Sequence, residues 1–528
     1  MKNHTRVNHR VKIKKIQLTF SFDLTNNFDV DDEVFLVHNI IEEMNLKFLD
    51  SAYSNKGRKP VVEPKTMLKI LVFAYINRKY SVRDIEDACK YDLRFRWLLN
   101  NEKKPDHVTI NRFRNKIYPF MDEILHQLVN LLVEQGEIDL KSIYIDGTKI
   151  EANANRYTFI WKKSILKYQE KLVQKILEYF KINENLSSED CKKLVLIEFN
   201  NIRNICRSKN IVFTYGKGKR KLEEQKKYEM LEEWLDKLNI YEKHLNILGE
   251  RNSYSKTDHD ATFMRLKDDH MKNGQLKPAY NIQCATNGGY TVGIEGFNNP
   301  ADVRTLIPFM DNLLKKYDTK ISKIVADSGY ESEENYLYLR EKKIKSFIKP
   351  LNYEVKKTRQ YKNEISRKEN MTYCKAEDYY LCHNNKRLKF EKMIYRKNKY
   401  GFKSESKVYL CNDCLNCTYS SDCINMKNKT GLKHIYVSER FEELRKESEE
   451  NIMTEEGITE RLNRSIQAEG IFSYIKSGMR YFRFRHRSME KTISEMRLLS
   501  IAINIRKLSS KIKADKLGFI RYKEAIQK

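Results

Sequence analysis

No stretch of this chain approaches the ~18 uncharged apolar residues that a membrane-spanning helix needs. The first residues, Met1 to Lys15, are basic and lack the apolar core of a signal peptide; they read as a flexible cationic arm. Both absences point to a cytosolic chain with no membrane partner. Disulfides are not expected in that compartment, so the ten cysteines should be reduced, metal-bound or buried. Acidic residues are in deficit too: Lys+Arg is 100 against 72 Asp+Glu, a net charge of +28. Such an excess favours a polyanionic partner, with nucleic acid first and an anionic membrane surface second. The 32 Tyr and 24 Phe supply rings for packing or for base stacking. The 528 residues exceed what one core usually serves, so about two to four domains are expected.

Residues 60–135 read as a helical unit. Glu63-Pro64 starts a first helix, with Pro at its first position and Met67, Leu68, Leu71, Val72, Tyr75 and Ile76 inward. Ser81-x-x-Asp84 is a capping-box-like start for a second. Asp106 can cap a third, with Ile110, Phe113 and Ile117 inward and His107, Asn111, Arg112, Arg114 and Lys116 outward. Three short helices with a basic third one suggest a helix-turn-helix-like DNA reader, in which His107, Arg112 and Arg114 are candidate contacts. Residues 1–59 are then arm and linker. Residues 156–255, almost free of Pro and Gly, read as long amphipathic helices with a loop near Gly216-Lys-Gly218. Residues 351–440 read as loop-rich and hold Cys374, Cys382, Cys411, Cys414, Cys417 and Cys423, without a convincing apolar core.

Between these insertions lie two strand-like runs that end alike. Lys141-Ser-Ile-Tyr-Ile-Asp146 breaks at Gly147, and Lys323-Ile-Val-Ala-Asp327 breaks at Gly329. Side by side in parallel, their carboxyl ends would stand roughly 4.8 Å apart. Two carboxylates so placed can bridge a pair of divalent cations about 3.5–4 Å apart. A hairpin is expected at Asn287-Gly288-Gly289, between runs Lys277–Thr286 and Tyr290–Phe297. A helix should open at Asn299-Pro300, and another at Ser332. Lys345–Pro350 reads as a last short strand. The order strand, hairpin, helix, strand, helix, strand, helix is that of a ribonuclease H-like domain. Its expected pieces are 136–155, 256–350 and 441–510, with the first and fourth strands parallel neighbours.

A third oxygen ligand is expected, because hard divalent cations take carboxylates and water. Glu469 is the candidate, with Lys476 seven residues on and so on the same helical face, away from Ile471 and Ile475. Cys411-x2-Cys414-x2-Cys417-x5-Cys423 offers four thiols at the spacing of a tetrahedral structural Zn²⁺ site; iron–sulfur and metal-free readings stand as alternatives. Asp258-His259-Asp260 invites a metal, but neighbours on an extended segment point opposite ways, which favours a structural or DNA-positioning role.

Together, Tyr144-Ile-Asp146-Gly-Thr-Lys-Ile-Glu-Ala, Ile324-Val-Ala-Asp327-Ser-Gly-Tyr and Ala468-Glu469-Gly-Ile-Phe-x-x-Ile-Lys476 resemble the three catalytic blocks of insertion-sequence DDE transposases. The likeness extends to Gly274-Gln-Leu-Lys-Pro-Ala-Tyr-Asn-Ile-Gln, to Asn298-Asn-Pro-Ala-Asp302 and to Pro105-Asp-His-Val-Thr-Ile-Asn-Arg-Phe-Arg114. The resemblance implies an α/β protein. A ribonuclease H-like mixed sheet is flanked by helices, after a helical DNA-binding domain and with helical and Cys-rich insertions. It implies Asp146, Asp327 and Glu469 as a triad holding two Mg²⁺, with Mn²⁺ as a substitute. It also implies Lys476 and an upstream arginine as contacts to the transposon end. Related transposases place Tyr and Arg at fixed offsets before the Glu; here Leu462 and Ser465 stand there, so Arg461 and Arg464 are approximate stand-ins.

The implied chemistry is in-line attack on phosphorus by water and then by a freed 3′-hydroxyl, on terminal inverted repeats and a target duplex. A homodimer would act in a synaptic complex, with the 156–255 helices and Met496, Leu499, Ile503 and Ile505 as candidate contacts, in a bacterial cytoplasm near the nucleoid. The alternatives are an inactive DNA-binding repressor or captured protein, and a nuclease that only hydrolyses. The intact triad disfavours the former, and the N-terminal reader with its long insertions disfavours the latter.

Overall fold

The computed structural model describes residues 28–521 except 53–59, 101, 217–219, 267–273, 318–319, 425–427 and 429. The basic arm, Met1 to Lys15, and Lys217-Gly218 of the expected loop lie outside the described residues. The first described helices are α1 (Glu33–Glu43), α2 (Pro64–Ile76), α3 (Val82–Tyr91), α4 (Leu93–Leu99), α5 (His107–Ile117) and α6 (Met121–Glu134). Pro64 occupies the first turn of α2, and Asp106 caps α5 by accepting from the Thr109 amide (2.7 Å). Helix α1 lies within the stretch read as arm and linker; it buries Val34, Val37, Ile40 and Ile41, and Asp32 caps it. Helix α2 is buried from Thr66 to Ile76 on every side, which places it at the centre of the helical unit rather than on its surface.

The main sheet begins with β1 (Ser142–Glu151). The chain then leaves through β2 (Phe159–Trp161), makes three long helices, α7 (Lys162–Phe180), α8 (Ser188–Ser208) and α9 (Glu223–Leu248), and returns by β3 (Ser253–Ser255). Strands β2 and β3 pair as a two-stranded neck. The three helices pack around Leu172, Ile176, Val195, Leu231 and Trp234, a core separate from the main one. The sheet resumes with β4 (Thr262–Arg265) and the hairpin of β5 (Leu276–Asn287) and β6 (Tyr290–Phe297), turning at Gly288 and Gly289 with φ of 63° and 75°. Two left-handed residues are what a two-residue hairpin of this twist demands. Then follow α10 (Leu306–Tyr317), β7 (Lys323–Ala326), α11 (Glu333–Glu341) and β8 (Lys345–Ile348). Ser332 caps α11 as expected. Asn299 instead makes a local turn to the Ala301 amide, a short 3-10 turn follows at Asp302–Arg304, and α10 begins only at Leu306.

The sheet order is β4-β5-β1-β7-β8, with β6 also paired to β5. Strand β1 is antiparallel to β5 and parallel to β7, and β7 is parallel to β8. The protein is therefore a mixed α/β structure. Its main core is continuous from the N-terminal helices through the sheet to the last long helix, and includes Leu71, Ile145, Ile294 and Leu499.

Residues 351–440 are not loop-rich. After α12 (Arg359–Asn363) they form an antiparallel sheet of β9 (Thr372–Cys374), β10 (Tyr379–Leu381), β11 (Arg387–Lys397), β12 (Lys403–Cys411) and β13 (Lys433–Val437), with α13 (Ser420–Cys423) before the last strand. Met371, Tyr380, Leu388, Tyr409, Ile435 and Val437 give it an apolar core of its own. Its strands carry so much Lys, Arg and Glu that the alternation is hidden in the sequence. The chain ends in α14 (Glu439–Met453), α15 (Glu455–Arg464), α16 (Gly470–Ser473) and α17 (Met489–Lys513). Met496, Leu499, Ile503 and Ile505 of α17 are buried inside the subunit, so they are not a surface for a second copy.

Candidate active site

Strand β1 does not break at Gly147. Its parallel pairing with β7 ends at Tyr144↔Val325, while its antiparallel pairing with β5 continues to Glu151↔Ala279. Asp146 therefore stays paired to β5 while its other side opens just where β7 stops. Extending the β1–β7 register by two residues brings Asp146 level with Asp327, at the end of β7. Each carboxylate is tied to its own backbone: Asp146 Oδ1 accepts from the Gly147 amide (2.9 Å) and Asp327 Oδ1 from the Gly329 amide (2.8 Å).

Helix α15 does not stop at Arg464. It continues through a π-helical turn (Ser465–Glu469), the short α16 and a second π-helical turn (Tyr474–Gly478). Such wide turns concentrate at functional sites, because they re-aim one side chain within a helix. Glu469 ends the first of them and Lys476 lies in the second. Ile471 and Ile475 face the core, and Glu469 faces out. Asp146, Asp327, Arg464, Glu469 and Lys476 line a single cleft, with Phe472 and Phe482 as its apolar wall. Arg464 Nη2 pairs with Glu469 Oε1 at 2.5 Å, and Ser465 Oγ approaches Oε2 at 3.4 Å.

The helix that carries Glu469 is braced on the two strands that carry the aspartates. Glu460 on α15 is buried and accepts from Ser142 Oγ (2.8 Å) and Tyr144 Oη (2.6 Å) of β1, while Lys323 Nζ of β7 lies 3.7 Å away. Behind the cleft, Tyr330 is fully buried and donates to Gln283. Burial raises its hydroxyl well above the ordinary range, and the nearby Asp302, Asp146 and Asp327 carboxylates push the same way. Glu460 has no sequence signal, and Gln283 closes a block of family likeness that assigned it no role. Asp302 lay in a block of family likeness but had no role assigned to it.

Other expected residues fall elsewhere. Arg461 does not line the cleft; its guanidinium lies over the Tyr353 ring. Arg112 is exposed on α5, as expected. Arg114 is buried; its Nη1 donates to the Tyr80 carbonyl (3.4 Å) and its Nη2 to Asn111 (3.1 Å), so it cannot read DNA from the surface. His107 is half-engaged, with its amide and Nδ1 both on Glu86. Asp258 and Asp260 are structural: they accept from the Ser488 and Met489 amides (3.2 and 2.9 Å), capping the start of α17 from a distant segment.

Cys411, Cys414, Cys417 and Cys423 do converge, with Cys382, around one pocket. Even so, among the described residues no group of three or more His, Cys, Asp or Glu side chains is arranged to hold a metal. The thiols are engaged otherwise: Cys414 donates to the Cys411 carbonyl, Asn384 donates to Cys417, and burial pushes Cys411 up to about 12. The zinc expectation is not supported, and an apolar core does the work assigned to it. Three carboxylates in the cleft are the right hard donors for a divalent cation, but Glu469 is drawn onto Arg464 and the three do not form a closed ligand set.

Two family models match the chain: one described as a transposase DDE domain, over residues 381–509, and one described as a transposase domain (DUF772), over residues 22–116. Both matches support an insertion-sequence DDE transposase. The DDE match holds Arg464, Glu469 and Lys476, while Asp146 and Asp327 lie outside it; the other match spans α1 to α5. No curated protein and no solved structure matches the chain. Transposases act on DNA, and DDE transposases work with divalent metal ions. Among the described residues, no helix is long and apolar enough to cross a membrane.

Proposed function

We propose that the cleft is the catalytic centre of a transposase that binds the terminal inverted repeats of a mobile element and carries out metal-dependent DNA cleavage and strand transfer. The observation that carries this reading is the convergence of Asp146, Asp327 and Glu469, from three separate segments, on one cleft that also holds Arg464 and Lys476. We read the main sheet as ribonuclease H-like, supported by its order: the β5–β6 hairpin joins β1 through β5, and β7 and β8 run parallel to β1 on its other side. The sheet and the chain from α14 to α17 form the catalytic part. Helices α2 to α6 form the DNA-binding part, and α7 to α9 and β9 to β13 are insertions.

Asp146, Asp327 and Glu469 would hold the divalent ions, Mg²⁺ first and Mn²⁺ as a substitute. When bound, such ions activate the attacking oxygen and stabilise the leaving one. The protein's own residues do the rest. Asp146, within β1, and Asp327, just past the end of β7, are held by the Gly147 and Gly329 amides. Glu469, paired with Arg464 here, would serve as the third oxygen ligand, and the Arg464 guanidinium beside it would suit a bidentate grip on a phosphate. Lys476 offers a second cation to the scissile strand, and Phe472 and Phe482 exclude water from that side. Arg112 on α5 is the candidate for sequence reading. Synapsis of two ends would need two subunits, and exposed Leu166, Tyr168, Leu196 and Ile197 on α7 and α8 are available for that contact.

Asp146→Ala, Asp327→Ala and Glu469→Ala should each abolish cleavage and strand transfer of a labelled element end with Mg²⁺. Specific duplex binding should survive, because affinity comes mostly from cationic contacts to phosphate. Near-normal cleavage by any one variant removes that residue from the centre.

A further inference from the structure

Asp302 reaches under the cleft from the turn between β6 and α10. Its Oδ1 accepts from Asn281 Nδ2 (2.7 Å) and Gln283 Nε2 (3.0 Å), two amides on β5. Its carboxylate lies between the segments that follow the two aspartates. A Cβ on Gly147 would stand 3.1 Å from Asp302 Oδ1 and would collide with the Gln283 amide. A Cβ on Gly329 would stand 3.5 Å from Asp302 Oδ2 and 3.0 Å from Asp327 Oδ1. Neither glycine adopts a left-handed backbone. These glycines therefore serve clearance and not a turn: a side chain at 147 would crowd Gln283 and Asp302, and one at 329 would crowd Asp327, with Asp302 in ordinary contact beyond it.

We propose that Asp302 is a positioning residue of the catalytic centre. It fixes the segments that present Asp146 and Asp327, and its charge raises the affinity of the cleft for divalent cations. Two amide donors hold Oδ1, so the side chain cannot swing away to relieve its repulsion from the two aspartates. A bound cation relieves it. The proposal rests on the reading of the cleft as a metal-dependent centre.

Asp302→Asn keeps the shape and an Oδ1 acceptor but loses the charge. Asn281→Ser releases one anchor while leaving the cleft lining and the carboxylate in place. Mn²⁺ binding to the DNA-free protein, followed by electron paramagnetic resonance, and the rise in melting temperature on adding Mn²⁺ are the readouts. Asp302→Asn should bind Mn²⁺ about tenfold or more weakly, the range typical of residues behind a metal ligand. Its melting temperature in EDTA should be no lower than wild type, and its cleavage should recover at high metal concentration. Asn281→Ser should show a smaller loss in the same direction. Wild-type Mn²⁺ affinity in both variants overturns the proposal. With Asp146→Asn as control, the two readings separate. If Asp146→Asn loses Mn²⁺ while the other two keep it, Asp302 alone is misassigned. If wild type binds no Mn²⁺ that Asp146→Asn removes, the catalytic reading fails and Asp302 falls with it.

Discussion

Arg114 shows how far a single side chain can depart from its expected role. Helical spacing places it on the outer face of α5, yet the α17 side of the fold covers that face. Arg114 there offsets Glu495, which is almost fully buried; burial pushes its carboxyl up, while the neighbouring Tyr481, Arg114 and the Arg485 amide pull it down. Arg114→Ala should therefore destabilise the protein by about 3 kcal/mol, the typical cost of leaving a buried charge unpaired. Arg112→Ala should leave stability within about 0.5 kcal/mol, as exposed positions do, and weaken preference for the element's own end. Denaturant titration and competition binding read the two effects separately. His486 is a second residue whose behaviour follows from burial. Burial first, then Arg114, Lys491 and Arg485, hold its imidazole down to about 3, so it is neutral in the fold. An unfolded histidine titrates near 6.5. The unfolded chain thus takes up the proton first: the stability His486 contributes is complete above about pH 6.5 and is lost as pH falls toward 3. The loss should reach about 2 kcal/mol near pH 4.5, allowing for solvent screening. His486→Gln should flatten that part of the stability–pH profile; an unchanged slope would assign it to other groups.

At the scale of elements, the Cys-rich sheet and the Glu469 helix differ most from what spacing suggests. Strands β9 to β13 enclose fully buried Leu388 between Tyr380, Tyr409 and Ile435. Leu388→Ala should cost about 2–4 kcal/mol of local stability, the usual cost of a core cavity. Cys417→Ser, at the pocket rim, should cost far less. Limited proteolysis of residues 351–440 compares the two; a collapse caused by Cys417→Ser would restore a role for the thiols as ligands. On the other element, Glu460 joins α15 to β1 and β7 through three side chains. Glu460→Gln should leave Ser142 and Tyr144 imperfectly matched, at about 1–3 kcal/mol. It should also lower cleavage while duplex affinity stays level, since the change displaces Glu469 and touches no DNA contact. Loss of affinity and cleavage in equal measure would argue against a positioning brace.

For the whole molecule, the charge of +28 is the dominant quantity. A chain that neutralises several phosphates releases their counterions, so duplex affinity should fall by orders of magnitude between about 50 and 200 mM salt. A flat dependence would count against the DNA reading of the N-terminal helices and the cleft together. The shared core makes a related point about assembly. Because α17 packs on β6, α2, α6 and α1, the N-terminal helices and the sheet are expected to unfold together. Leu499→Asp should therefore unfold the subunit and not merely split a dimer.

Residue order alone determined the two aspartate-bearing strands, the β5–β6 hairpin, the caps of α5 and α11 and the helical character of 156–255. Each depends on contacts within a few positions, such as a turn glycine, a capping oxygen or an apolar run. Strand order likewise made a parallel pairing of these two strands the expected one, which the β1–β7 register fulfils. Tertiary structure decided the rest, because each remaining point turns on a partner far away in sequence. Glu469 meets the aspartates only because π-helical turns re-aim it and Glu460 pins its helix. Arg114 is interior only because α17 returns 381 residues later to hold Glu495 beside it, an interval that runs from 114 to 495. The sheet at 351–440 was hidden because its strands bury one narrow face and cover the other with charge. Asp302 acquires a role only where two glycines, 182 positions apart from 147 to 329, leave the same space empty.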